Sequence, residues 1–269
     1  MPASPDMTPK RIDFSRVAED YEITRGFPPE LMKQLIEDII STCELSSTTL
    51  ALELGCGAGR YLRELAHRKV PVIGLDISPG MLDKARRNQE SRKYLRSNLL
   101  ASDAVTLPFH QGQFFCVVAI HLFHLLSDWQ EVLNEALRVL HPSGTFVLGY
   151  VQGQHHGSIL DQLYRQRREE IGYYYDYPGP HSSEISAKLA AQGFRVESHS
   201  FSAKTDVALQ DTLTVLERRV YSTMWEGLPD VVHRQLIQYV RRAASSQFKR
   251  LDDMETITCN ANLYFASCD

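Results

Sequence analysis

Residues 49–59, Thr-Leu-Ala-Leu-Glu-Leu-Gly-Cys-Gly-Ala-Gly, restrict the possible folds of this chain more than any other stretch. An apolar strand (Thr49, Leu50, Ala51, Leu52) runs into an acid, Glu53. Glycines at 55, 57 and 59 then lead into a helix beginning near Arg60. Glycine is needed where φ must be positive or where a ligand rests against bare backbone. A dinucleotide site would read Gly-x-Gly-x-x-Gly, but the sixth place counted from Gly55 is Arg60. Glu53 beside the loop would repel a pyrophosphate and suits a ligand with positive charge. The turn therefore predicts a cationic, nucleoside-like ligand.

The flanking pattern alternates strand and helix. Leu31, Met32, Leu35, Ile36 and Ile39 repeat at helical spacing and predict an amphipathic helix over 29–43. Strand one is expected at 48–54, a helix at 58–68, and strand two at 70–76, ending at Asp76. Ser78-Pro79 supplies an N-cap and a first-turn proline for a helix to about Gln89. A third strand is expected over 94–102, and Phe114–Ile120 is an unbroken apolar run typical of a strand buried on both faces. Asp128 with Glu131 reads as a capping box for a helix carrying Val132, Leu133, Ala136, Leu137 and Leu140, and His141-Pro142-Ser143-Gly144 stops it before strand five at 145–151. The later part is less regular: an insertion at 152–181, a helix at 182–192 capped by Ser182 or Ser183, a strand at 194–201, two more helices through Leu209–Val220 and Val232–Val240, and an alternating strand at 255–267. Repeated βα units predict an α/β, Rossmann-like doubly wound sheet of about seven strands, mostly parallel with an antiparallel C-terminal strand. The expected organisation is a tail at 1–10 and a single domain at 11–269, with 152–181 and 202–246 as lid or substrate-binding insertions.

Composition narrows the functional classes. The chain has 269 residues, 43% of them apolar, and a formal charge of −4, which gives no general electrostatic reason to expect nucleic acid or an anionic membrane. Its five cysteines (Cys43, Cys56, Cys116, Cys259, Cys268) show no Cys-x-x-Cys spacing, which fits a reducing, cytoplasmic setting. The longest apolar run, 114–126, is too short to span a bilayer. His155, His156 and His181 match no metal-ligand spacing, so no metal is expected. A monomer or homodimer acting on a small molecule is the economical expectation.

Several side chains stand where chemistry is expected. Asp76 ends strand two, where an acid can accept both hydroxyls of a ribose. His121 and His124 follow strand four and are candidates for a general base or for orienting a substrate; alternatively one bonds to backbone and the other packs. Tyr173, Tyr174, Tyr175 and Tyr177, with His181 beyond them, form a candidate substrate wall for a flat or cationic molecule, or else simply pack a lid. Arg165, Arg167 and Arg168, balanced by Glu169 and Glu170, read as a solvated helical face.

Glu53 to Gly59 resembles the first motif, Glu/Asp-x-Gly-x-Gly-x-Gly, of the class I S-adenosylmethionine-dependent methyltransferases, and the resemblance covers 17–151, more weakly to 269. It implies S-adenosylmethionine as cofactor. Glu53, Gly55, Cys56 and Gly57 would lie against its methionine and ribose; Asp76 and Ile77 would follow on the ribose side. Met81 would pack on adenine, Asp103 and Ala104 would recognise it, and Ile120 and His121 would floor the reaction chamber. Tyr21 and Arg25 match a covering segment that reaches the methionine carboxylate or the substrate, or are an ordinary surface pair; Tyr21 is also a catalytic candidate beside His121 and His124. His121 to Trp129 reproduces the His-Leu-x-His-Leu-x-x-Asp-Trp of the small-molecule branch, known as the type 11 or UbiE-like group. The Asn/Asp-Pro-Pro-Tyr of base-amine and glutamine methyltransferases is replaced by Ile120-His121-Leu122-Phe123. The expected reaction is SN2 methyl transfer to an O, N, C or S nucleophile of a small molecule. A catalytically silent cofactor-binding scaffold is the alternative, and a nicotinamide oxidoreductase conflicts with Arg60 and Glu53.

Overall fold

The computed structural model describes residues 12, 14–21, 26–90, 98–225, 227–248 and 250–268. The central feature is a seven-stranded sheet: β1 (Ala51–Leu54), β2 (Val72–Asp76), β3 (Asn98–Ala101), β4 (Phe114–Ile120), β5 (Leu140–Val151), β6 (Arg195–Ala208) and β7 (Met254–Ser267), in the order β3-β2-β1-β4-β5-β7-β6. The first five are parallel, and β7 runs antiparallel between β5 and β6. The helices are α1 (Pro29–Thr42), α2 (Arg60–His67), α3 (Pro79–Glu90), α4 (Trp129–Val139), α5 (Ile159–Glu170), α6 (Ser182–Ala191), α7 (Leu209–Glu217), α8 (Ser222–Trp225) and α9 (Asp230–Gln247), with 3₁₀ turns at Phe14–Val17 and Phe123–Leu125.

Strand alternation divides the interior into two layers. Ala51, Cys116, Val118 and Ile120 pack with Leu31, Leu35, Ile39, Leu62 and Leu65 of α1 and α2. Leu52, Leu54, Val117 and Ala119 pack with Val132, Leu133, Ala136 and Val139 of α4 and with Ile185 and Leu189 of α6. Strand order reverses between β1 and β4. In an open parallel sheet, ligands bind outside the carboxyl ends of the strands at that crevice.

A third apolar cluster, with Leu160, Tyr164, Leu213, Leu216, Leu236 and Val240, joins α5, α7 and α9 into a helical block. β5 pairs with β7 only from 145 to 151, whereas β6 and β7 pair along their whole length. Residues 202–208 and 254–260 thus project as a two-stranded ribbon, and the helices grow from it. The junction is fastened by Glu255, which accepts from the Ile159 N–H at 3.0 Å and from the Ser158 hydroxyl.

Local expectations change in four places. The strand expected at 194–201 continues to 208, so the helical part of the second insertion starts at Leu209 rather than 202. β5 begins at Leu140, directly after α4, with a register shift opposite Phe114 and Cys116. Asp128 occupies the N-cap of α4 without a side-chain cap bond. His181, not Ser182 or Ser183, is the N-cap of α6, and Glu184 reaches back to its N–H at 3.1 Å. The N-terminal part of the expected third strand, the expected tail at 1–10 and Arg25 lie outside the described residues.

Candidate functional site

The glycine turn follows from backbone chemistry. Gly55, Gly57 and Gly59 all have positive φ, at 66°, 53° and 77°. The turn closes through the Cys56 N–H to the Leu75 carbonyl and the Gly59 N–H to the Cys56 carbonyl, each at 2.9 Å. Asp76 holds it from β2: Oδ2 accepts the Gly57 N–H and Oδ1 the Ser78 N–H, both at 2.8 Å. A Cβ on Gly57 would meet nothing within 4 Å among the described residues. The space above this glycine is a cradle that a side chain would fill and a ligand can use.

Glu53 lies beneath the loop, 3% exposed, and its Oε2 has no hydrogen-bond partner among the described residues. Burial, reinforced by nearby Asp76, pushes its carboxyl up to about 8. The Tyr61 hydroxyl is also buried without a partner there, and burial raises it. An unbonded buried oxygen is costly, so both groups point to a polar ligand that completes them. The cationic methionine end of S-adenosylmethionine fits this donor-poor, acid-rich floor, and its ribose hydroxyls fit the acceptor chemistry of the Asp76 carboxylate, which lines the same cleft.

Both groups line a cleft of about 350 Å³ that runs from the glycine turn to the helical block. At the cofactor-like end it gathers Tyr21, Gly55, Cys56, Gly57, Asp76, Ile77, Met81, Asp103, Ala104, Ile120 and His121. Val17, Ala18, Ala58 and Met81 form a small cluster with Phe14 and Tyr21, so the 14–21 segment lies over the turn. Ser15 fixes that cover, its hydroxyl 2.8 Å from that of Ser78 and 3.1 Å from the Gly80 N–H. Asp103 Oδ1 accepts from the Val105 N–H at 3.2 Å, which orients the carboxylate after β3.

His121 ends β4 in the left-handed region at φ 61°, a conformation costing roughly 1–2 kcal/mol for a residue with a Cβ. Its Nε2 accepts the Val151 N–H at 3.2 Å, so in the neutral ring the proton sits on Nδ1. That nitrogen is a donor. A base role through Nε2 would first have to break the bond to Val151.

The aromatic residues form a chain across the cleft. The His121 ring lies 4.7 Å from Tyr150, His124 lies 4.7 Å from Tyr177, and Tyr177 lies 5.0 Å from Tyr175. Gly179 anchors this segment by donating its N–H to the His124 carbonyl at 3.1 Å, with no room for a Cβ against the Phe123 and Leu126 carbonyls. Tyr175 and Tyr177 therefore face the cleft. Tyr173 instead packs on the helical block, Tyr174 is 75% exposed, and His181 caps α6; none of these three lines it.

The far wall departs from the sequence reading. Asp161, Tyr164, Arg165 and Arg168 line the cleft, where the 165–170 charge run had read as a solvated face. Their i, i+3, i+4, i+7 spacing, continuous with buried Leu160, is the signal that marks this as an inward face. Arg165 pairs with Asp161 at 2.7 Å and contacts His156, whereas His155 bonds to Thr212 at 3.1 Å. Burial lowers the pKa of both histidines. His155, His156 and His181 thus have separate partners.

Residues 52–148 match the family described as a methyltransferase domain. The chain is 32% identical over 133 residues to a malonyl-[acyl-carrier protein] O-methyltransferase of Legionella pneumophila, covering 49% of this chain and 45% of that one. It is 37% identical over 99 residues to a demethylmenaquinone methyltransferase of Thermus thermophilus, covering 36% and 44%. It therefore spans less than half the length of these two relatives. The fold is shared with phosphoethanolamine N-methyltransferase 2 of Haemonchus contortus in complex with S-adenosyl-L-methionine, at TM-score 0.56 and 18% identity, covering 94% of this chain and 57% of that one.

Proposed function

We propose that this chain, whose residues 52–148 match a methyltransferase domain, is a class I S-adenosylmethionine-dependent methyltransferase that methylates a small molecule held between the β4 and β5 ends and the helical block. When bound, the cofactor supplies an electrophilic sulfonium methyl that an acceptor lone pair takes by SN2 displacement, leaving S-adenosylhomocysteine. The observation that carries this reading is the union, in one cleft, of the glycine cradle with unpartnered Glu53 and the aromatic set of His121, Tyr150, Tyr175 and Tyr177.

In this reading the chain's own residues bind, align and exclude water. Asp76 and Ile77 hold the ribose side, Met81, Asp103 and Ala104 the adenine, and Gly55, Cys56, Gly57, Glu53 and Tyr21 the methionine part. Ile120 and His121 line the reaction chamber, and His124 braces Tyr177. The acceptor's own proton, where it has one, passes to solvent or to His124 rather than to His121 Nε2, which already accepts from Val151.

The helical block and the 175–179 strap act as the substrate-binding lid. The family match stops at 148, before nearly all of these residues, and the two relatives carry names for unlike acceptors, malonyl-acyl carrier protein and a demethylmenaquinone. Acceptor choice accordingly resides in 150–224. Among the described residues no helix is long and apolar enough to cross a membrane, and the described cysteines are free thiols.

Calorimetric titration with S-adenosylmethionine and NAD, followed by an acceptor screen reading S-adenosylhomocysteine release, tests the proposal. S-adenosylmethionine binding with turnover of one acceptor class is expected. Failure of the folded protein to bind S-adenosylmethionine overturns it.

A further inference from the structure

Arg168 is 9% exposed, lines the cleft opposite the glycine turn, and forms no ion pair among the described residues. The only hydrogen bond of its guanidinium there runs from Nη1 to the Thr223 carbonyl at 2.8 Å, and its buried Nε has no partner among the described residues. The neighbouring cation behaves differently: Arg165 is neutralised by Asp161, which also accepts the Gly157 N–H at 3.0 Å. A guanidinium withdrawn from water without a counter-charge is costly to keep. It persists where a ligand supplies the missing acceptor.

Geometry states which ligand. With Nη1 turned to Thr223 and Nε enclosed, Nη2 is the donor left to the cleft among the described residues, and a charged guanidinium N–H pairs most strongly with an anionic oxygen such as that of a carboxylate. The other charges in the cleft are mainly acidic: Asp76, Asp103, Asp161 and the exposed Glu169. Against these and Glu53 stand Arg60, Arg165, which is paired with Asp161, and Arg168, which has no ion pair among the described residues; one such cation in a mainly acidic cleft suits a monoanion and disfavours a phosphate dianion. Tyr175, Tyr177 and Tyr150 supply flat apolar surface in the same cleft.

We propose that the methyl acceptor is a small monocarboxylic acid whose carboxylate docks on Nη2 of Arg168, with its apolar body against the tyrosines. The carboxylate is the handle and another atom of the acid receives the methyl, because a guanidinium withdraws charge from the carboxylate it holds. This assignment rests on the methyltransferase reading only for what happens after docking. Docking itself is read without cofactor.

The test uses the full chain and benzoate, phenylacetate, cinnamate and hexanoate, each against its primary amide, with phenyl phosphate as a further arm. Saturation-transfer NMR and calorimetry without S-adenosylmethionine should show at least one acid preferred over its amide and over phenyl phosphate. Arg168→Gln should erase that preference, with a loss of about 30-fold in acid affinity, the order expected for a charge-assisted pair. Arg168→Lys should recover part of it. S-adenosylmethionine affinity, measured in parallel, should stay unchanged in both variants, and its absence in the wild type would condemn the methyltransferase reading alone. If no acid outbinds its amide in the wild-type protein, if phenyl phosphate binds best, or if folded Arg168→Gln keeps the preference, the carboxylate assignment falls.

Discussion

Oδ2 of Asp76 accepts the Gly57 N–H at 2.8 Å, so the acid that ends β2 also holds the shape of the turn after β1. Its other oxygen takes the Ser78 N–H at the start of α3. One carboxylate thereby ties two strand ends together at the floor of the cleft.

Asp76→Asn places an amide NH₂ against one of those two backbone donors. S-adenosylmethionine affinity should fall by about 10–100-fold, since hydrogen bonds to a charged group contribute roughly 1.5–3 kcal/mol. A modest drop in Tm should accompany it. Calorimetry reads the first and a thermal melt the second; affinity within twofold of wild type would remove Asp76 from the site.

Glu53 predicts a proton linked to cofactor binding. Burial raises its carboxyl from 4.5 to about 8, so near neutrality the folded protein keeps a proton that the unfolded chain has lost. The stabilisation is complete below pH 4.5 and disappears as pH rises through 8. A cationic ligand favours the ionised form, so binding at pH 7 should release most of one proton. Calorimetry in two buffers of different ionisation enthalpy counts it. Glu53→Gln should abolish the release, and a count of zero in the wild type would contradict this role.

The outcome for each element follows from what surrounds it. Phe114–Ile120 is observed with its expected bounds because a strand buried on both faces leaves an uninterrupted apolar run. Residues 202–208 were harder to read: Ser202, Lys204 and Asp206 are exposed along a ribbon whose pairing lies only with distant 254–260. Glycine spacing and strand-end acids make Glu53, Gly57, Asp76 and Asp103 legible in sequence, because a backbone cradle and a hydroxyl acceptor need those residue types at those points. Arg168 was hidden among Arg165, Arg167, Glu169 and Glu170, since charge alone does not tell an inward face from an outward one. Tyr175 and Tyr177 were separable from Tyr173 and Tyr174 only once Gly179 fixed the path of the chain.

His233 makes the helical block sensitive to acid. Its Nδ1 lies 2.7 Å from the Tyr164 hydroxyl, joining α9 to α5, while Nε2 is buried without a partner among the described residues. Burial, aided by the positive charge of Arg219, lowers its pKa from 6.5 to about 4. A depressed base contributes stability above pH 6.5 that is lost as pH falls through 4, up to about 3 kcal/mol. Hydrogen exchange in α9, corrected for intrinsic rates, should accelerate over that window more than in α1. His233→Phe should flatten the response, and equal behaviour of the two helices would refute it.

Gly179 sets the position of the aromatic strap. A methyl there would overlap the carbonyl oxygens of Phe123 and Leu126, which belong to the turn immediately after β4 and cannot yield without moving His121 and His124. Gly179→Ala should therefore swing 175–179 outward, at a stability cost of about 1–3 kcal/mol typical of forced overpacking. The cofactor contacts proposed for Asp76 and Glu53 come from β2 and β1, not from the turn that Gly179 touches. S-adenosylmethionine affinity should stay near wild type while KM for the acceptor rises and protease cleavage appears around Tyr174 to Pro180. Loss of cofactor affinity with an uncleaved strap would mean that Gly179 supports the fold as a whole and does not aim Tyr175 and Tyr177 at the substrate.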